Sequence, residues 1–275
     1  MIAEVFHFFI ESRKSWIQPR KPRTQTSIYE KEFCERYSSS QKTSDFEILN
    51  AFIHEKIKVN IPNQGKFLDV ACGPGCLLLE MAKMYPEVSF YGIDASQEML
   101  NIARRDLERE KVANIRLELG DMNQLSKYFQ KQEFDFISWN FAAHYCASDE
   151  QFVSILNAIS ELLKPDGNFF FVDLVRFKLE NTLDWFSNKY DLPVGMKFFN
   201  ETRNSYLASF TPMELRNLIG QSLLKNLKCN WSPGFPVLFT ADNLKIQPTS
   251  MIYQGRPWPQ KMKYFLLRLV IACFR

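Results

Sequence analysis

Ten residues, KFLDVACGPG (66–75), concentrate the chemistry of this sequence. An acid, Asp69, is followed at two-residue steps by Ala71, Gly73 and Gly75. Glycines in a tight turn let a ligand approach bare backbone, because no Cβ intervenes. An apolar, periodic segment, CLLLEMAKMY (76–85), begins at once. The N–H groups and positive end of a helix therefore face whatever rests on the turn. A second acid, Asp94, closes the apolar run VSFYGID (88–94), 19 residues after Gly75. At the tip of a second strand, an acid is placed to accept hydrogen bonds from two ribose hydroxyls. The chemistry on offer is the binding of a nucleotide-like cofactor.

The surrounding elements must hold these groups at one edge of a sheet. Phe67 and Leu68 mark a first strand at 66–69, and 88–94 reads as the second. NIRLELGDM (114–122) reads as a third, ending in Asp121 and Met122, FDFISWN (134–140) as a fourth, and GNFFFVD (167–173) as a fifth. Helices are expected over 75–85, 96–111 and 148–163. A further helix at 43–59 repeats Phe46, Leu49, Ile53 and Ile57, with Thr43 or Ser44 as its cap. Thr211, Pro212 and Glu214 spell a capped helix start, and two last strands are expected near 225–231 and 236–241. Strands alternating with helices give an α/β fold. A dinucleotide fingerprint would require a third glycine where Leu78 stands, which weakens a nicotinamide dehydrogenase reading.

In this order and spacing the segments resemble the class I S-adenosylmethionine-dependent methyltransferases, over roughly 66–243. The resemblance implies a Rossmann-like sheet of seven mostly parallel strands, helices on both faces and an antiparallel last strand. It implies that Asp69, Ala71, Gly73 and Gly75 cradle the methionine part of S-adenosylmethionine. Asp94 would bind its ribose, with Ala95 and Met99 alongside, and Asp121 its adenine amine, while Met122 packs on the ring. LKPDGNFFFVD (163–173) and SFTPMELRNLI (209–219) resemble the family's entry to strand 5 and the helix before strand 6. Ala71 stands where the family often has glycine. No Asn/Asp-Pro-Pro-Tyr follows strand 4, which argues against methylation of exocyclic base amines.

The implied reaction is in-line displacement at a methyl carbon carried on a sulfonium, where alignment and desolvation matter most. SWNFAAHYC (138–146) resembles a family segment in which Asn140 faces cofactor and acceptor. His144, four residues on, is the candidate base, since imidazole titrates near working pH; a packing or orienting role is the alternative. Asp173, ending strand 5, is a candidate acceptor contact. Residues 174–210 are longer than an ordinary connection and contain Trp185, Phe186, Tyr190, Phe198, Phe199 and Tyr206. They are expected to form a helical, aromatic insertion that covers the acceptor. The leader, with Tyr29 and Tyr37, is expected to close the opposite side. The organisation expected is a leader and cap helix at 1–60, a methyltransferase domain at 61–243, and a tail at 244–275.

Net charge is +3 on 34 basic and 31 acidic residues, which argues against a dedicated nucleic-acid surface across the chain. Six of the basic residues and none of the acids lie in 244–275, so the rest sums to −3. A solvated extension is the expectation there, with membrane-surface, carrier-protein or dimer contact left open. Its apolar end, 262–274, is too short to span a bilayer and carries Arg268. Six cysteines without a C-x-x-C pair and three scattered histidines give no metal framework. A cytoplasmic, reducing setting follows, and the N-terminus lacks the basic leader of a secretory signal. With 25 Phe and 15% aromatics, the expected acceptor is a small apolar or aromatic molecule, although core packing explains much of the phenylalanine. Two other readings stand beside it: a S-adenosylmethionine-binding protein without transfer, and a methyltransferase for RNA or protein working through the tail.

Overall fold

Alternating apolar residues bury both faces of each central strand, and this decides the architecture. A computed structural model describes residues 19–23, 30–41, 44–189, 196–231 and 238–245. Seven strands form one sheet: β1 (Gly65–Val70), β2 (Val88–Asp94), β3 (Ile115–Leu119), β4 (Phe134–Asn140), β5 (Leu163–Leu174), β6 (Lys228–Trp231) and β7 (Leu238–Asp242). Their order is β3-β2-β1-β4-β5-β7-β6. The neighbours from β3 to β5 are parallel, and β7 runs antiparallel to both β5 and β6. This is the Rossmann-like sheet with an antiparallel last strand that the sequence led us to expect.

Successive side chains point to opposite faces of a strand. Phe67, Phe90, Phe136 and Phe170 therefore pack on one side with α2 (Ser44–Ile57) and α3 (Cys76–Met84), while Leu68, Ile137, Phe169 and Phe171 pack on the other. The second side is covered by α5 (Asp149–Leu162) and α8 (Pro212–Gln221). Among the described residues eleven phenylalanines are less than 2% exposed, which assigns much of the aromatic surplus to the core. Burial on both faces is what a parallel sheet requires.

The helix starts obey their caps. Ser96 accepts from the Met99 N–H at the start of α4 (Gln97–Glu110), and Ser148 caps α5 through Gln151. Thr211 and Glu214 form a reciprocal capping box on α8. The insertion after β5 is helical, with α6 (Glu180–Lys189) and α7 (Met196–Ala208); Tyr190 lies outside the described residues.

Three local expectations differ from the structure. Residues 31–41, read as part of an irregular leader, form helix α1 (Lys31–Gln41). Its serine-rich sequence has weak helix propensity, and the helix is fixed by packing Phe33 and Cys34 on Met99 and Ile102 of α4. Strand β5 begins at Leu163 rather than 167, absorbing Lys164–Gly167 in a register shift opposite Phe134 and Phe136. Strand β3 ends at Leu119, so Asp121 sits beyond it and caps a 3₁₀ turn (Met122–Lys127). Residues 246–275, and with them nearly all of the tail, lie outside the described residues.

Candidate functional site

The carboxyl ends of β1, β2, β4 and β5 meet at one edge of the sheet. Register places Asp69 opposite Ser138. Ser138 and Asn140, two apart on β4, share a face, and both reach Asp69. Ser138 Oγ donates to Asp69 Oδ1 at 2.6 Å, and Asn140 Nδ2 donates to the same oxygen at 3.1 Å. Burial pushes the Asp69 carboxyl up to about 7, against the pull of these two donors. The side-chain amide oxygen of Asn140, Oδ1, is buried without a hydrogen-bond partner among the described residues.

The turn after β1 takes left-handed backbone at Ala71 (φ 58°), Gly73 (φ 54°) and Gly75 (φ 70°). Gly75 is the N-cap of α3. At Gly73 a Cβ would meet none of the described residues within 4 Å, so among these the backbone is open on that side. Asp94 ties the turn to β2: its Oδ2 accepts from the Gly73 N–H at 2.7 Å and its Oδ1 from the Ser96 N–H at 2.9 Å. Each carboxylate oxygen keeps a second lone pair. Burial raises the Asp94 pKa, opposed by these two N–H groups. Ala95 is exposed beside it, and Met99 packs in the cluster with Phe33, Cys34 and Ile102. Asp121 and Met122 are half-buried at the end of β3. Asp121 Oδ1 accepts from the Asn123 backbone N–H (2.9 Å) and amide (2.7 Å).

On the far side of Asn140 stands the turn Ala143–Tyr145. Asn140 pairs with Val172, which brings Asp173 of β5 beside it. Asp173 Oδ2 accepts from the His144 backbone N–H at 3.1 Å, and Oδ1 lies 2.9 Å from His144 Nδ1. His144 is 4% exposed and Asp173 2%. An ionised carboxylate can only accept, so Nδ1 is the donor of this bond and Nε2 is the ring nitrogen not engaged by Asp173. Two residues separately marked by sequence thus form one unit. The Tyr145 ring lies 4.6 Å from the imidazole. Burial pushes its phenol up to about 12, with Arg23, Glu201, Asp94 and Asp173 as charged neighbours. Burial likewise raises the phenol of Tyr37 on α1, which feels the charges of Tyr145 and Asp94. Tyr37 packs against the cluster of Phe33, Cys34, Met99 and Ile102. Trp185 on α6 is half-buried against the core, and Phe186 follows it on that helix. Tyr29 lies outside the described residues.

Ser138 and Tyr145 were missed by sequence reasoning. Ser138 is legible only as the residue two before Asn140 on the same face. Tyr145 had no signal beyond its neighbour. No described helix is long and apolar enough to cross a membrane, and no described group of His, Cys, Asp and Glu is arranged to hold a metal.

The residues fit an S-adenosyl ligand: an open glycine backbone, two strand-end acids and an orphaned buried carbonyl converge there. The family model described as "Methyltransferase domain" matches residues 62–218. A tRNA (guanine-N(7)-)-methyltransferase of Enterococcus faecalis is 29% identical over 119 residues, covering 42% of this chain and 53% of that protein. A ubiquinone biosynthesis O-methyltransferase of Acinetobacter baylyi is 33% identical over 111 residues, covering 40% of this chain and 44% of that protein. The chain thus aligns with about half the length of these curated relatives. The solved plantazolicin methyltransferase BamL, in complex with a triazolic desmethylPZN analog and SAH, shares the fold with TM-score 0.58 at 14% identity. That match covers 87% of this chain and 96% of BamL.

Proposed function

The chain belongs to the methyltransferase domain family, and we propose that it transfers a methyl group from S-adenosylmethionine to a small, neutral, apolar or aromatic acceptor that loses a proton. The observation that carries this reading is the His144–Asp173 pair beside Asn140 at the strand ends. S-adenosylmethionine supplies an electrophilic methyl carbon on a sulfonium sulfur.

Gly73 and Gly75 admit the donor to the backbone, and Asp69, Ala71, Asn140, Ala95 and Met99 complete its walls. Asp94 uses its second lone pairs for the ribose hydroxyls. Asp121 takes the adenine amine and Met122 packs against the ring. His144 takes the acceptor's proton on Nε2, and Asp173 stabilises the resulting imidazolium through Nδ1–H. Such a base contributes about 10²–10⁴ in rate. Tyr37 and Trp185 line the acceptor side, with α6, which carries Phe186, and α7 as its lid.

Described charges near the base support a neutral acceptor. Asp173 is committed to His144, and Arg23, whose guanidinium stands 4.7 Å over the Tyr145 ring, is ion-paired with Glu201. The tRNA-methylating relative aligns with less than half of this chain.

The test is transfer of labelled methyl from S-adenosylmethionine to a panel of phenols and catechols, with bulk tRNA in parallel. Methylated phenol supports the reading, with the label on oxygen. Transfer only to tRNA replaces the acceptor class, and binding of the donor without any transfer leaves a non-catalytic S-adenosylmethionine protein.

A further inference from the structure

Residues 19–23, PRKPR, carry two arginines three apart, each directly after a proline. Proline favours the extended polyproline II conformation, which has three residues per turn and so sets residues 20 and 23 on one face. Both side chains are used on the same seam. Arg20 Nε donates to Ala208 O at 2.7 Å, its Nη2 donates to Cys146 O, and its guanidinium lies 3.9 Å above the Phe210 ring. Lys21 N donates to Leu207 O at 3.0 Å. Arg23 Nη1 donates to Ser205 Oγ at 2.9 Å and reaches the Tyr145 hydroxyl at 3.5 Å. Its Nη2 pairs with Glu201, and its guanidinium stands 4.7 Å over the Tyr145 ring. The Arg23 side chain is 3% exposed.

The partners fall into two groups. Ala208, Leu207, Ser205 and Glu201 belong to α7 or its end, whereas Tyr145 and Cys146 follow His144 directly. A desolvated guanidinium with several donors is rigid and planar, so it fixes the groups it spans. We propose that Arg20 and Arg23 are positioning residues: a clasp that joins α7 to the His144 turn and sets the imidazole in register with Asp173. The N-terminal segment is then a working part of the acceptor side rather than cladding. This rests on the reading of His144 as the proton acceptor.

The test uses the full chain carrying Arg20→Gln with Arg23→Gln, and separately Arg23→Lys, which keeps the charge beside Glu201 but loses the planar fork. Three quantities are measured: affinity for S-adenosylhomocysteine by calorimetry, hydrogen exchange of amides 143–146, and the NMR titration of the His144 imidazole. Expected in the double variant are affinity within about twofold of wild type, at least tenfold faster exchange, and a His144 imidazole NMR response that no longer matches wild type. Arg23→Lys should give the same changes in smaller measure. Wild-type exchange and titration in the double variant overturn the clasp. If the double variant does not fold, Arg23→Lys alone decides by the same criteria. Failure of the wild type to bind S-adenosylhomocysteine would instead defeat the donor reading, and exchange and titration would still judge the clasp.

Discussion

His144 Nδ1 lies 2.9 Å from Asp173 Oδ1, while Asp173 Oδ2 accepts from the His144 backbone N–H at 3.1 Å. The carboxylate therefore holds both the ring and the turn that carries it. Its Oδ1 also accepts from the Leu174 N–H at 2.6 Å, so the acid is itself fixed. In the proposed reaction this imidazole takes the acceptor's proton at Nε2.

Replacing either member separates orientation from binding. His144→Ala should lower turnover about 10²–10⁴-fold while donor affinity is kept. Asp173→Asn should lower it about 10²-fold, because an amide no longer stabilises the imidazolium. Steady-state kinetics on whichever phenol is methylated, with calorimetry of S-adenosylhomocysteine alongside, checks both. Unchanged turnover at every pH would make the pair structural.

Asp94→Ala should weaken S-adenosylmethionine binding by roughly 2–3 kcal/mol. The substitution strips a charged acceptor and leaves the Gly73 and Ser96 N–H groups without their carboxylate. Calorimetric titration reads the loss directly, and wild-type affinity would remove Asp94 from the donor site.

Gly73→Val tests the open side of the turn. None of the described residues stands in the way of the new Cβ, but the residue sits at φ 54°. A β-branched side chain there costs about 1–2 kcal/mol of stability, so the protein should still fold with a modestly lower Tm. Donor binding should be abolished, because the side chain fills the approach to the backbone. A folded variant that binds normally would place the donor elsewhere.

Asp69 gives stability a pH dependence. Its folded pKa, near 7, lies above the value of about 3.9 expected in the unfolded chain. Its contribution to the ligand-free protein is therefore full below about pH 4 and is lost as pH rises through about 7. Asp69→Asn, neutral at every pH, should gain stability relative to wild type across that window. Urea unfolding at pH 4, 5.5 and 7 measures the difference, and a constant gap would show that Asp69 ionises as freely as in the unfolded chain.

How much of this was legible in the sequence depends on the range of the interaction. Strand alternation, the glycine turn, the Ser96 cap and the Thr211–Glu214 box are local, because each depends on residues within a few positions. These patterns determined an α/β sheet and a nucleotide-type turn, and the aromatic insertion between 174 and 210 was visible from its length. Helix α1 was not legible, since its own residues favour a helix weakly and its docking on α4 supplies the burial.

The tertiary structure alone decided which marked residues work together. Asp69 and Asn140 are 71 residues apart, and His144 and Asp173 are 29 apart. Only the order β1-β4-β5 and its register bring each pair within hydrogen-bond reach. The same holds for Arg23, which lies 122 residues from Tyr145. Residue type and short spacing declare what chemistry a side chain can do. Long-range strand pairing and desolvation decide which groups meet, and so which of that chemistry is available.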